Sequence, residues 1–231
     1  MTLQVNGRAG QRGRGENAFL TVSSRRPPLG VWKREMMNTA LLVIDLQQEF
    51  ARRTELAAAE GPGRSNPGAE AVVAGALALY RAQGWTVVHV HHDDPNPASR
   101  FRRDRPGFAP MDCALPLAGE AVFVKRTSGA FGATGLAQWL EARGIKRLAV
   151  VGASVNHCVS STLRAGYDAG FTMAVLRDGV FGFDLPRIDT EGMIAADVVL
   201  EVVLASLGRE LVQVISAATL EAWTTQGAAT E

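Results

Sequence analysis

Four places along the chain bring up residue types able to act on a carbonyl group. Asp45 follows the apolar run Thr39-Ala-Leu-Leu-Val-Ile44, and His91-His92-Asp93-Asp94 end the Val-rich run that starts at Trp85. Lys125 closes Ala121–Val124, and Cys158 lies in Gly152-Ala-Ser-Val-Asn-His-Cys158, just after Lys146–Gly152. A carboxylate can accept a proton, a thiol attacks once it has lost one, and a nearby cation favours the thiolate. A cysteine near a helix start also gains from the helix dipole, and amides exposed at such a turn can hold an oxyanion. The combination suits acyl transfer through a thioester. Taken singly, each residue has a plainer reading: Asp45 bonding a loop, Lys125 a solvated strand-end charge, Cys158 a small buried hydrophobe. Their joint placement favours chemistry. Cys113 sits in a loop with no partner motif and reads as structural.

Successive strand ends must hold these residues. The apolar runs at 39–44, 85–91, 121–124, 146–152, 171–176 and 210–215 predict strands, the first and fourth buried on both faces. Helices are expected over 69–83, 135–143, 156–169, 195–207 and 217–223, with Gly84, Gly144 and Gly170 closing the first three. A Pro- and Arg-laden loop covers 93–116. Strands alternating with helices imply βαβ units and a three-layer α/β/α fold around a mostly parallel sheet, a Rossmann-like class. In such sheets ligands bind outside the carboxyl ends of the strands, where Asp45, Lys125 and Cys158 all fall.

Composition narrows the partners. Lys plus Arg total 24 and Asp plus Glu 23, a net charge of +1, so the chain carries no electrostatic footprint for nucleic acid or an anionic membrane. No apolar run approaches the ~20 residues of a bilayer-spanning helix. Two cysteines cannot build a disulfide scaffold. The expectation is a reduced, cytoplasmic protein. Residues 1–35 are basic, Gly-rich and without helical or strand period, and they read as a disordered extension ahead of a domain spanning 36–231.

Three strings make the reading specific: Leu42-Val-Ile-Asp45-Leu-Gln47-Gln-Glu-Phe50; Val124-Lys125-Arg-Thr-Ser-Gly-Ala-Phe131-Gly-Ala-Thr134-Gly-Leu136; and Val151-Gly-Ala-Ser-Val-Asn-His-Cys158-Val159 with Arg164-Ala-Gly-Tyr-Asp168-Ala-Gly-Phe171. Together they resemble the isochorismatase-like cysteine hydrolases, a family that includes nicotinamidases, carbamoylsarcosine amidohydrolases and ureidoacrylate amidohydrolases. The resemblance runs from about residue 39 to about 215. It implies Cys158 as nucleophile, Asp45 as general base and Lys125 as the cation that holds the carboxylate and lowers the thiol pKa. It also implies a cis peptide joining Ala153 to Ser154, with the Ser154 and Cys158 amides forming an oxyanion hole. Many members carry Thr three residues before the cysteine; here that position is Val155.

Nicotinamidases in the family hold a metal through an Asp-x-His pair and a later His. This chain has no Asp-x-His, and the only histidine after His92 is His157, so no catalytic metal and no cofactor is expected. His89 and His91 share one strand face and read as structural or pocket-lining. Gln47, His91 and Phe131 are the expected substrate-binding residues. An arginine of Ser99–Arg105 could select a carboxylate, although a solvated loop face suits most of them better. The resemblance further implies a small amide or ureide substrate and a homodimer or homotetramer, with Trp139, Trp223 and the C-terminal segment as candidate contact surface. Two other readings stay open: a vinyl-ether hydrolase of the isochorismatase type, which relies on the aspartate without needing the cysteine, and a catalytically silent binding or assembly module.

Overall fold

The structure is a computed structural model that describes residues 38–60 and 63–226; the basic segment 1–35 lies outside the described residues. Six parallel strands form the central sheet: β1 (Thr39–Ile44), β2 (Thr86–His92), β3 (Ala121–Lys125), β4 (Arg147–Ala153), β5 (Thr172–Phe181) and β8 (Gln213–Ile215), in the order β3-β2-β1-β4-β5-β8. A two-stranded antiparallel pair, β6 (Leu185–Pro186) and β7 (Met193–Ile194), stands apart from it.

Because β1 and β4 are covered on both faces, their side chains alternate between two apolar cores. Leu42, Ile44, Val88, Val90, Leu148 and Val150 pack against α3 (Leu136–Glu141), α4 (Ser160–Asp168) and α5 (Ala196–Gly208). Leu41, Val43, Val87, Ala149 and Val151 pack on the other side against α1 (Gln48–Glu60), α2 (Ala69–Gln83) and α6 (Ala217–Gln226). The result is the expected three-layer α/β/α class. Among the described residues no helix is long and apolar enough to cross a membrane.

The departures from the sequence expectation have local causes. Helix α1 has no clear signal in the sequence, since Gln48–Glu60 is mostly polar. It is braced by Arg52 and Arg53 on Glu49 and pinned to the core through Phe50. Strand β5 continues past Leu176 to Phe181, although Asp178-Gly179 suggests a turn, because its second half resumes pairing after a register shift at Val150/Gly152. Strand β8 starts at Gln213 rather than at 210. Trp223 is no contact surface: it is buried, stacked under Arg147 at 4.3 Å and donating its indole N–H to Gln213.

The chain direction reverses its lateral progress between β1 and β4, which makes the crevice at their carboxyl ends the topological switch point. Gly152 sits at that crossing with φ +129°, and a Cβ there would fall 2.1 Å from the Ile44 carbonyl oxygen. Only glycine lets the two strands approach so closely. Gly152→Ala is therefore expected to lower stability by about 3 kcal/mol or more, from backbone strain plus displacement of β1. A urea unfolding midpoint matching that of the wild type would show that the crossing is not tight.

Candidate active site

Three strand ends meet at the switch point. Asp45 is the first residue beyond β1, Lys125 is the last of β3, and Cys158 follows β4 inside a single π-helical turn, Val155–Val159, that leads into α4. Such π turns recur at functional sites. Asp45 adopts a left-handed backbone, φ +51°, which Asp tolerates better than most residues, while its amide still bonds to the Val90 carbonyl at 2.8 Å. The Ala153–Ser154 peptide is cis, and Ser154, extended at the start of the turn, donates its hydroxyl to Asn156 Oδ1 at 2.6 Å.

Lys125 must cross a strand to reach this point. Neighbouring strands lie about 4.8 Å apart, so β3 and β1 are separated by roughly twice that, a gap that the lysine stem and the Asp45 side chain close together. Its ammonium lies 2.7 Å from Asp45 Oδ2 and donates to Cys158 Sγ and the Thr127 carbonyl, each at 3.2 Å. Both charged side chains are sealed from solvent, at 0% exposure. Neither Asp45 oxygen accepts a well-directed hydrogen bond from a described residue, so charge holds the carboxylate and its lone pairs stay uncommitted.

Burial raises the Asp45 pKa above the ordinary carboxylate range, opposed by Lys125. Burial first, and then the Asp45 charge, push the Cys158 thiol up to about 12, against the pull of Lys125. Lys125 does lower the thiol pKa, as expected from the sequence, but burial and the carboxylate outweigh that effect. One cation stands beside two acids, which favours a single anion between them.

The three expected substrate-binding residues, Gln47, His91 and Phe131, are all packed against other parts of the chain. Gln47, 0% exposed, donates its amide to the His92 and Phe108 carbonyls at 3.0 and 2.9 Å, and its Oε1 accepts the His92 amide at 2.8 Å. With both N–H groups spent on backbone, it clips the end of β2 to the 106–108 turn and has no donor left for a ligand. His91 lies with His89 on the opposite face of β2 from Lys125, its ring edge-on to Phe108 at 5.9 Å. Phe131 packs on Phe171 and over Gly166, against the same apolar core that Cys158 borders.

The histidines do not converge. His89 contacts Glu120 at 2.9 Å, where Arg81 also binds; burial keeps His89 neutral, so it gives that carboxylate an N–H rather than a charge. Among the described residues no group of three or more His, Cys, Asp or Glu side chains could hold a metal ion. In the 93–116 loop, Arg103 is tied to Asp93, as is Arg126 from beyond β3, and Arg102 is tied to Asp104. Cys113 is a half-buried free thiol, raised to about 11 chiefly by burial, as suits a structural residue.

His92 is the residue that sequence reasoning missed. It is the register partner of Lys125 across β2 and β3, so the two side chains share a face, and the lysine stem passes over the strand end that carries it. The signal was present in the strand alternation, but register is needed to say which histidine of the pair faces the thiol.

Comparison with known proteins agrees with this fold. The isochorismatase domain profile matches residues 39–199. A secreted isochorismatase effector of Verticillium dahliae is 32% identical over 175 residues, covering 75% of this chain and 89% of that protein. A maleamate amidohydrolase of Pseudomonas putida is 30% identical over 178 residues, covering 68% and 80%. A crystal structure of an isochorismatase-family protein from Chromobacterium violaceum superposes with a TM-score of 0.75 at 33% identity, covering 82% and 94%. With the fold and the sequence profile in agreement, the chain belongs to the isochorismatase family of hydrolases.

Proposed function

We propose that this hydrolase cleaves a C–N bond in a small amide, ureide or carbamoyl compound through a thioester on Cys158. One observation carries the reading: a buried ammonium, Lys125 Nζ, stands 2.7 Å from the Asp45 carboxylate and 3.2 Å from Cys158 Sγ. A vinyl-ether hydrolysis driven by the aspartate alone leaves that thiol contact without a purpose. The similarity to a maleamate amidohydrolase supports an amide substrate.

In this reading the resting site holds a thiol, a carboxylate and an ammonium. As Sγ attacks the carbonyl carbon, the thiol proton passes to Asp45, and Lys125 keeps the negative charge stabilised on either side of the transfer. The Ser154 and Cys158 amides hold the oxyanion. Asp45 then gives its proton to the leaving nitrogen, the C–N bond breaks, and ammonia or an amine departs. Water loses a proton to Asp45 as it attacks the thioester; the acid leaves, and the proton returns to sulfur. Atoms and charge balance without an added cofactor.

The test is release of ammonia or amine from a panel containing nicotinamide, carbamoyl amino acids, ureides, maleamate and biuret-type compounds. Turnover is expected for at least one of them and is expected to vanish in Cys158→Ala and after iodoacetamide treatment. Turnover that survives loss of the thiol would remove the thioester, and a panel wholly untouched would remove the reaction class.

A further inference from the structure

His92 ends β2 as the register partner of Lys125, and the Lys125 and Asp45 charges both act on its ring. It is half-buried, with its backbone N–H and C=O both clamped by Gln47 and its ring braced edge-on by Phe101 at 5.8 Å. The charged groups around it come from three elements: Asp45 after β1, Lys125 on β3, and Asp93 and Asp94 just beyond its own strand. Of its two ring nitrogens, Nδ1 is sealed from solvent with no hydrogen-bond partner among the described residues. No described residue bonds to Nε2 either, yet that atom is not sealed.

A buried N–H without an acceptor is costlier and rarer than a buried lone pair without a donor. The positive charge of Lys125 nearby also disfavours a proton on the inward nitrogen and a second proton on the ring. The proton therefore belongs on Nε2, the nitrogen that is not sealed, and the ring presents a single N–H there.

From this geometry we infer that His92 is a substrate-contacting residue that donates its Nε2–H to an acceptor oxygen of the substrate, flanking the scissile carbonyl. The inference rests on Cys158 being the reactive residue of the site. It selects, within small amides, those that carry a second carbonyl or carboxylate a few bonds from the first. Gln47 becomes the positioning residue that fixes the ring through the backbone on either side of it.

The test uses protection of Cys158 from iodoacetamide in the full chain by three compounds of matched length: butyramide, succinamide and succinamate. Butyramide lacks the second acceptor, succinamide has a neutral one, and succinamate adds a charge. Protection is read as the concentration that halves each sample's own unprotected rate, so altered thiol reactivity cancels. Loss of one neutral hydrogen bond corresponds to roughly threefold to tenfold in affinity. Wild type is expected to bind succinamide about that much more tightly than butyramide. His92→Leu should erase the preference, and His92→Gln, which keeps an N–H donor, should restore part of it. Absence of a preference in the wild type, or one that survives in His92→Leu, overturns the inference. A preference confined to succinamate also overturns it, since charge alone would then explain the selection. Turnover is scored separately: succinamide that protects in a His92-dependent way yet is never hydrolysed counts against the amidohydrolase reading and not against the contact.

Discussion

Asp45→Asn is expected to abolish turnover while making Cys158 more reactive toward iodoacetamide, two changes that are rarely coupled in this direction. Loss of a general base costs typically 10²–10⁴-fold, and here Asp45 serves at both the acylation and the hydrolysis step, so a fall of about 10³-fold or more is expected. The thiol responds the opposite way. Its pKa of about 12 is held up by burial and then by the Asp45 charge, while Lys125 pulls it down. Removing the carboxylate leaves the ammonium as the dominant neighbour, and a like charge at this range is worth about 1–3 pKa units. The thiolate fraction at pH 7 rises by that factor, while intrinsic nucleophilicity falls by about half as much on the logarithmic scale. Net alkylation should therefore speed up by roughly threefold to thirtyfold. The readouts are ammonia release and the iodoacetamide rate at pH 7. Alkylation that slows together with turnover would mean that Asp45 activates the thiol in the resting state, contrary to a carboxylate that holds the thiol pKa up.

Lys125→Met should move alkylation the other way and also weaken the fold. The ammonium makes one ionic contact and two hydrogen bonds, one of them to Sγ. Loss of a charge-assisted contact of ~1.5–3 kcal/mol raises the thiol pKa by about one to two units. After the gain in intrinsic nucleophilicity is allowed for, alkylation at neutral pH slows by about threefold to tenfold. Removing one partner of a buried ion pair costs about 3–5 kcal/mol when the other stays charged. The loss is pH-dependent with a definite sign. Burial raises the Asp45 pKa even with Lys125 present, and without it the rise is larger. A carboxyl raised in the folded state is least costly when protonated. The stability deficit should thus be small below the unfolded carboxyl pKa of about 4 and grow as pH rises toward the folded value. Urea midpoints for variant and wild type from pH 4 to 8 give the measurement. A deficit that is flat across that range, or an unchanged alkylation rate at neutral pH in folded protein, would take Lys125 out of the role assigned to it.

Much of this was legible in one dimension. The apolar runs Ala40–Ile44 and Leu148–Ala153 had to be doubly covered strands, because no side chain in them suits water. Once strands alternate with helices, parallel pairing follows, and with it the gathering of Asp45, Lys125 and Cys158 on one edge of the sheet. Helix α1 went unread: the pairing of Glu49 with Arg52 and Arg53 is local, at i,i+3 and i,i+4, but the core that Phe50 finds is a tertiary fact.

At the level of single side chains, the sequence by itself determined which residue types were available and which strand ends bore them. It could not determine direction. Register decided that His92, rather than His91, shares the face of Lys125, because a one-residue step along a strand moves a side chain to the other face. Packing turned Gln47 from a ligand contact into a backbone clip and set Phe131 against Phe171. Desolvation decided the protonation of the site. A lysine near a cysteine implies a lowered thiol pKa in water, but the same pair sealed with a carboxylate yields a raised one. How far each charge is removed from solvent is a property of the fold, and no spacing of residues along the chain contains it.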